Sequence, residues 1–173
     1  MKRITFSVLT ALTAVLTASA PLHARLDKGT SDLINYVDRN GINVTIDDPE
    51  TCNDPKYYIL GSYIHSGMKR TLALCPGDHV DALDHSTVRH EVWHAIQHCI
   101  NVARGTAINS PVSEDTSKLM ALVNQHVSRA DIENIRQNYE SSQWLLEYEA
   151  VLAENMFTAA EIQDLFKKAC VGQ

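Results

Sequence analysis

Five consecutive residues have the types and spacing of a hydrolytic metal site. They are His90-Glu91-Val92-Trp93-His94, and they match the His-Glu-x-x-His pattern. On a helix, residues four apart lie nearly above one another, so both imidazoles can reach one metal ion. Glu91 lies to one side of the pair, where it can accept a proton from a water molecule on the metal. The motif predicts metal ligands at His90 and His94, with Glu91 as the general base.

The residues around this motif predict the helix that it needs. From Ser86, a typical N-cap residue, to Ala103 the chain contains no proline or glycine. His98 and Gln97 fall on the same side as the two motif histidines. A solvated helix face is more usually filled with lysine and glutamate, so this face indicates a metal or catalytic role. The opposite side carries an apolar stripe at helical spacing, formed by Val88, Val92, Ile96, Cys99 and Ala103.

A third metal ligand is expected on a later helix, because a catalytic zinc usually takes three protein ligands. Glu140, Glu147 and Glu154 are spaced by seven and share one face, which is typical of a solvated stripe. Glu149 lies elsewhere, where an uncompensated carboxylate would be costly. A zinc ion would compensate its charge, and an ion pair with an arginine is the alternative. We therefore predict Glu149 as the third ligand. Its expected neighbours are Leu145, Leu152, Ala153 and Met156.

The motif and the later segment Glu149-Ala150-Val151-Leu152-Ala153 together resemble the gluzincin branch of zinc metallopeptidases. In that group the third ligand is a glutamate on a later helix. The metzincin pattern does not fit, since Gln97 and Ile100 stand where it has glycine and histidine. The resemblance implies one Zn²⁺ held by His90, His94 and Glu149, with a water molecule at the fourth position. It also implies a protein or peptide substrate, with Glu91 moving the proton from the water to the leaving amine.

Two further parts of such a site are expected but less defined. The oxyanion formed during peptide hydrolysis needs a donor besides the metal. Tyr148, Tyr139, His98 and His126 are all available for that role, and His98 could instead support a ligand or form polar surface. The segment 70–75 is expected to be an edge strand against which an extended peptide pairs.

Apolar periodicity and turn signals predict an α+β fold. A first helix from Thr30 or Ser31 to Gly41 precedes a small antiparallel sheet, and everything after Pro111 is expected to be helical. The resemblance implies a zincin-like arrangement, with the sheet before the active-site helix. We expect one domain over 25–173, divided into an α/β subdomain (25–105) and a helical subdomain (106–173). The predicted strands are 42–46, 57–65 and 70–75, with a hairpin turn at 65–68, and the later helices are 114–127, 129–139, 142–157 and 159–170.

The first 24 residues have the features of a secretory signal peptide. Lys2 and Arg3 precede a short apolar run over 6–20, and small residues favour cleavage near Ala24. We expect an exported protein, periplasmic or secreted, without a stable membrane anchor. The four cysteines of the mature chain predict two disulfides in an oxidising compartment. We favour Cys52–Cys75 and Cys99–Cys170, each tying together one half of the domain.

The charge of the chain limits its partners. The formal net charge of −6 at pH 7 becomes about −8 once Lys2 and Arg3 are removed. An acidic domain without basic runs is a poor candidate for binding nucleic acid or an anionic membrane. The leading hypothesis is thus an exported zinc-dependent peptidase. One alternative is a non-catalytic zinc-binding or interaction domain with a structural metal. Another is a disulfide-stapled helical protein in which Glu149 pairs with an arginine such as Arg89 or Arg136.

Overall fold

The computed structural model describes residues 26–52, 60–67, 69–75 and 85–171. Within these ranges the chain has a small sheet of three strands and is otherwise mostly helical, which confirms the predicted α+β class. The predicted signal peptide (1–24) and the first residues of the predicted strand 57–65 lie outside the described residues. The elements in chain order are α1 (Lys28–Arg39), β1 (Asn43–Ile46), α2 (Pro49–Cys52), β2 (Gly61–Ser66), β3 (Lys69–Leu74), α3 (His85–Arg104), α4 (Thr116–His126), α5 (Arg129–Asn138), α6 (Trp144–Met156) and α7 (Ala159–Cys170).

The sheet is mixed, and this corrects the predicted antiparallel sheet. Its strand order is β1-β3-β2, with β1 parallel and β2 antiparallel to β3. The strand over 70–75 is therefore central and not an edge, as its buried residues Leu72, Ala73 and Leu74 require. In the described part of the sheet, the two edge positions on either side of β3 belong to β1 and β2. The expected hairpin turn joins β2 and β3 at Gly67, whose φ of +58° favours glycine.

Side-chain caps fix where the helices begin. The Asp27 side chain accepts a hydrogen bond from the backbone N–H of Thr30, so α1 begins earlier than the expected start at Thr30 or Ser31. Ser128 caps α5 as its spacing to Asp131 predicts. Thr158 and Glu161 form the reciprocal capping box that starts α7.

Two apolar clusters hold the helices around α3 and α6. The larger packs α1, α3 and α7 with the sheet, and Leu33, Leu72, Val92 and Phe166 are almost fully buried in it. Of the predicted stripe on α3, Val88, Val92, Ile96 and Cys99 are buried, whereas Ala103 is exposed. The smaller cluster packs α4, α5 and α6 together. Because α6 contacts both α3 and α4, one of its faces lies against the motif helix.

Both expected disulfides are present. Cys52–Cys75 joins α2 to the end of β3, whereas Cys99–Cys170 joins α3 to α7 across 71 residues of sequence. The second bond thus links the two parts of the fold and does not stay within one half, as had been expected. Two disulfides are typical of an oxidising, extracellular environment. Among the helices that the structure describes, none is both long and apolar enough to cross a bilayer.

Candidate metal centre

Three potential metal-binding atoms from α3 and α6 converge on one point. They are Nε2 of His90, Nε2 of His94 and Oε2 of Glu147. The two ring nitrogens lie 3.1 Å apart, and the carboxylate oxygen lies 3.3 Å from His90 and 3.5 Å from His94. Helical spacing on α3 aligns the imidazoles, as the motif predicts, and α6 brings the carboxylate from more than fifty residues downstream.

The size of this triangle fits a tetrahedral metal ion. Ligand bonds of about 2.0–2.1 Å at the tetrahedral angle place neighbouring ligand atoms about 3.3 Å apart. The three observed separations lie within 0.2 Å of that length. Two imidazole nitrogens facing each other would repel if both held only lone pairs, so a proton or a cation has to lie between them. The three residues could therefore hold a metal ion.

The outer nitrogen of each imidazole has its own partner. His90 Nδ1 lies 3.0 Å from Oε2 of Glu154, and His94 Nδ1 lies 2.7 Å from Oε1 of Gln97. Glu154 is seven residues after Glu147 and hence on the same face of α6. With Nδ1 donating to an oxygen, each Nε2 is left with its lone pair toward the centre. This is the arrangement that orients metal-binding histidines in proteins.

The electrostatics of the centre favour positive charge. Burial alone would lower the pKa of the His90 imidazole, but hydrogen bonds with Glu147 and Glu154 and the charge of Glu91 outweigh it and raise that pKa. Burial alone would raise the pKa of Glu147, yet hydrogen bonds and charge from His90 and His94 hold it below its ordinary value. The carboxylates therefore create a site in which a proton or a cation is stabilised.

Glu149 is not the carboxylate beside the histidines, which corrects the predicted third ligand. Its oxygens accept hydrogen bonds from the side chain of Gln97 (2.9 Å) and from the backbone N–H groups of Val112 (2.7 Å) and Ser113 (2.8 Å). It was predicted as a ligand because a buried carboxylate needs compensation. The residue is indeed only 5 % exposed, but amide donors compensate its charge in place of a metal or an arginine.

Glu91 lies beside the metal-ligand triangle. It is 8 % exposed, and it lines the same cleft as His90 and His94. The edge strand β2 packs directly on it: a Cβ atom added at Gly61 would lie 2.8 Å from Cγ of Glu91 and 2.9 Å from Cγ2 of Thr87. Since real Cβ atoms do not approach so closely, the glycine is what allows β2 to lie against this part of α3.

The centre opens into a cleft of about 1000 Å³ between β2, α3, α5 and α6. Two of the four expected oxyanion donors, Tyr139 and His98, line it. Burial of part of its side chain, the charges of Glu147 and Glu91 and a hydrogen bond to Glu147 raise the pKa of Tyr139, which is 39 % exposed. His98 packs against His65 and Tyr63, and burial, followed by the nearby charges of His65 and Arg70, lowers its pKa.

The other two candidates lie away from the cleft lining. The Tyr148 hydroxyl accepts a hydrogen bond from Nε of Arg136, at 2.9 Å, and the residue is buried in the smaller apolar cluster. His126 is exposed in the last turn of α4. Of the four donors proposed from sequence, only Tyr139 and His98 are thus placed to face a molecule in the cleft.

Glu147 and Glu154 were predicted to be part of a solvated stripe, and Gln97 was predicted only to share the histidine face of α3, yet all three belong to the centre. The seven-residue spacing correctly places Glu147 and Glu154 on one face, but that face lies against α3 and not in solvent. One signal points to this arrangement. Apart from Glu147 and Glu149, every residue from 144 to 153 is apolar or aromatic in the sequence, so a carboxylate in that range is unlike one on a solvated stripe.

Comparison with known proteins does not extend this description. No family model, no curated protein and no solved structure matches the chain. The geometry by itself defines a His-His-Glu group that could bind a metal ion, compatible with a His-Glu-x-x-His site.

Proposed function

We propose that this chain is an exported zinc-dependent peptidase of the gluzincin type. His90, His94 and Glu147 would hold one zinc ion, and Glu91 would act as the general base. The observation that carries the proposal is the 3.1–3.5 Å triangle of ligand atoms beside a buried glutamate in the same cleft. Glu147, on a later helix than the motif, takes the part that the gluzincin resemblance assigns to a third-ligand glutamate.

The donor set supports zinc over the alkaline-earth cations Ca²⁺ and Mg²⁺. Two imidazole nitrogens and one carboxylate oxygen match Zn²⁺, whereas Ca²⁺ and Mg²⁺ prefer oxygen ligands alone. The group has three members among the described residues, which is the number that a catalytic zinc takes from the protein. When bound, zinc lowers the pKa of a coordinated water molecule and polarises the scissile carbonyl.

The remaining chemistry belongs to side chains around the cleft. The carboxylate of Glu91 takes a proton from the attacking water and transfers it to the nitrogen of the leaving amine. The hydroxyl of Tyr139 donates a hydrogen bond to the oxyanion that develops on the substrate. Tyr139 suits this role because it lines the same cleft as His90, Glu91 and His94.

The edge strand β2 gives the cleft a way to hold an extended peptide. In the described part of the sheet β2 pairs with β3 alone, and residues 60–63 line the cleft beside Glu91. A peptide that pairs with the free backbone groups of β2 would pass the metal centre in extended form. Backbone pairing of this kind selects for extended peptides with little dependence on sequence, so the proposed substrates are proteins and peptides.

The test compares zinc content and peptide hydrolysis in the wild type, in Glu91→Gln and in Glu140→Gln. Glu140 is exposed and serves as the matched control. We expect all three proteins to bind one zinc ion, and only the wild type and the control to cleave a peptide library. Zinc binding without cleavage by any of them would favour a structural metal and contradict the peptidase. If none of them binds zinc, both the metal centre and the peptidase are refuted.

A further inference from the structure

Gln97 occupies a fixed position between His94 and Glu149. Its side-chain Nε2 lies 2.9 Å from Oε2 of Glu149 and 3.1 Å from the backbone oxygen of Leu146, and both of these atoms can only accept. The amide oxygen of Gln97 therefore faces His94 Nδ1, at 2.7 Å, and it accepts the proton of that nitrogen. Gln97 is 1 % exposed. One buried amide thus fixes which ring nitrogen of His94 faces the metal centre.

Glu149 continues the same chain of hydrogen bonds into the connection between α3 and α4. It accepts from the backbone of Val112 and Ser113, within residues 105–115. Ile108 and Asn109 of that connection line the cleft. The connection is also held from α3, since Nδ2 of Asn101 donates to the backbone oxygen of Ser110 at 2.7 Å. A wall of the cleft is therefore attached to the same glutamate that binds Gln97.

We propose that Gln97 and Glu149 are positioning residues that couple the metal ligand His94 to the 105–115 connection. A cation at Nε2 draws electron density from the imidazole and makes Nδ1–H a stronger donor, which strengthens the bonds to Gln97 and then to Glu149. Metal binding thereby fixes Gln97 and, through it, the position of the Glu149 carboxylate. Two backbone amides of the 105–115 connection converge on that carboxylate, so metal binding orders the cleft wall. By linkage, an ordered wall raises the affinity for the metal by the same factor. The metal part of this coupling rests on the proposed zinc site.

The experiment uses Gln97→Leu and Glu149→Gln, alone and combined, with Gln137→Leu as the control. Gln137 is exposed on α5. Its replacement by leucine is the same substitution as Gln97→Leu, at a position away from the cleft. Zinc affinity is measured by competition with a chelating dye. Hydrogen exchange of the Val112 and Ser113 amides is followed with and without zinc. The tautomer of His94 is read from its ring nitrogen shifts by NMR in the metal-free protein.

We expect zinc to slow exchange at Val112 and Ser113 in the wild type and the control. Gln97→Leu should weaken zinc binding about 10–100-fold, remove the effect of zinc on those amides and change the His94 tautomer population. The double variant should lose less zinc affinity than the product of the two single effects, and about as much as Gln97→Leu alone, because both residues act in one chain. Glu149→Gln, which keeps a polar side chain, serves as the test if Gln97→Leu does not fold.

Unchanged zinc affinity in Gln97→Leu, or zinc-dependent protection of both amides that persists in it, would overturn the coupling. If the wild type binds no zinc, the proposed function fails instead. The positioning role is then decided by the metal-free protein alone. It stands if Gln97→Leu alters the His94 tautomer and speeds exchange at Val112 and Ser113, and it falls if neither changes.

Discussion

The carboxylate of Glu154 lies 3.0 Å from Nδ1 of His90, while Nε2 of the same imidazole faces Glu147 at 3.3 Å. Helix α6 therefore contacts both nitrogens of one histidine, using two glutamates that are two turns apart. One of these glutamates belongs to the proposed ligand set, and the other orients the ring. Because both glutamates come from a single helix, the packing of α6 on α3 determines the positions of the ligand Glu147 and of the orienting residue Glu154 at the same time.

Removal of the Glu154 charge should weaken metal binding without removing it. In Glu154→Gln the ring of His90 loses its charged hydrogen-bond acceptor. Loss of a residue that hydrogen-bonds to a metal ligand typically lowers metal affinity by about 10–100-fold. Arg89 bonds the backbone oxygen of residue 154, so that contact survives the change. Zinc titration against a chelating dye measures the effect, with the exposed Glu140→Gln as control. Equal affinity in Glu154→Gln and the control would show that Glu154 does not support the ligand.

Substitutions of Glu147 and of Glu149 should have clearly different effects on zinc affinity and on stability. Glu147→Gln removes a proposed ligand and should lower zinc affinity by more than about 100-fold. That is more than the loss of a residue that only hydrogen-bonds to a ligand causes. Glu149→Gln should lower zinc affinity by no more than about 100-fold. It should also lower the free energy of unfolding by about 1–3 kcal/mol, since buried amide donors lose their carboxylate. Zinc titration and urea unfolding measure the two effects. A larger loss of zinc affinity in Glu149→Gln than in Glu147→Gln would restore Glu149 as the ligand.

The close approach of β2 to α3 predicts an effect at Gly61. In Gly61→Ala the new methyl group would meet Glu91 Cγ at 2.8 Å, so either the strand or the carboxylate must shift. We expect the turnover number for peptide hydrolysis to fall while zinc affinity is kept, because Glu91 is not a ligand in this site. Ile64→Ala on the exposed side of the same strand is the control. Full turnover by Gly61→Ala would mean that the position of Glu91 does not depend on β2.

The two disulfides should contribute unequally to stability. In the chain-entropy account a cross-link stabilises by restricting the unfolded chain, and the effect grows with loop length. Cys99–Cys170 closes 71 residues and Cys52–Cys75 closes 23. Replacing each pair by alanine should therefore lower the free energy of unfolding by about 4 and about 3 kcal/mol, respectively. Denaturant unfolding of the two double variants checks the order. The reverse order would show that native-state packing outweighs loop entropy here.

The sequence was most informative where structure is set by near neighbours. The motif helix, the caps at Ser128 and Thr158 and the buried stripe on α3 all follow from spacings of three or four residues. Both disulfide pairs were predicted correctly, although one of them crosses between the two halves that it was expected to tie separately. The central position of β3 was not predictable in this way, because a parallel partner is chosen by tertiary packing.

The third carboxylate could not be chosen from periodicity. Helix α6 is buried on several sides, with Glu147, Glu149 and their neighbours up to Ala153 all nearly inaccessible, so the helix has no single apolar face against which a buried charge stands out. Which glutamate meets α3 depends on how α6 is rotated in the fold. Glu149 was chosen because a buried charge needs a partner. That reasoning holds, but its partners are backbone amides that hydropathy does not reveal.

The most direct test of the metal centre is anomalous X-ray diffraction from crystals of the zinc-loaded protein, recorded on both sides of the zinc absorption edge. We expect one peak about 2.0–2.2 Å from Nε2 of His90, Nε2 of His94 and an oxygen of Glu147. A peak coordinated by Glu149, or no peak between α3 and α6, would contradict the assignment of these three ligands.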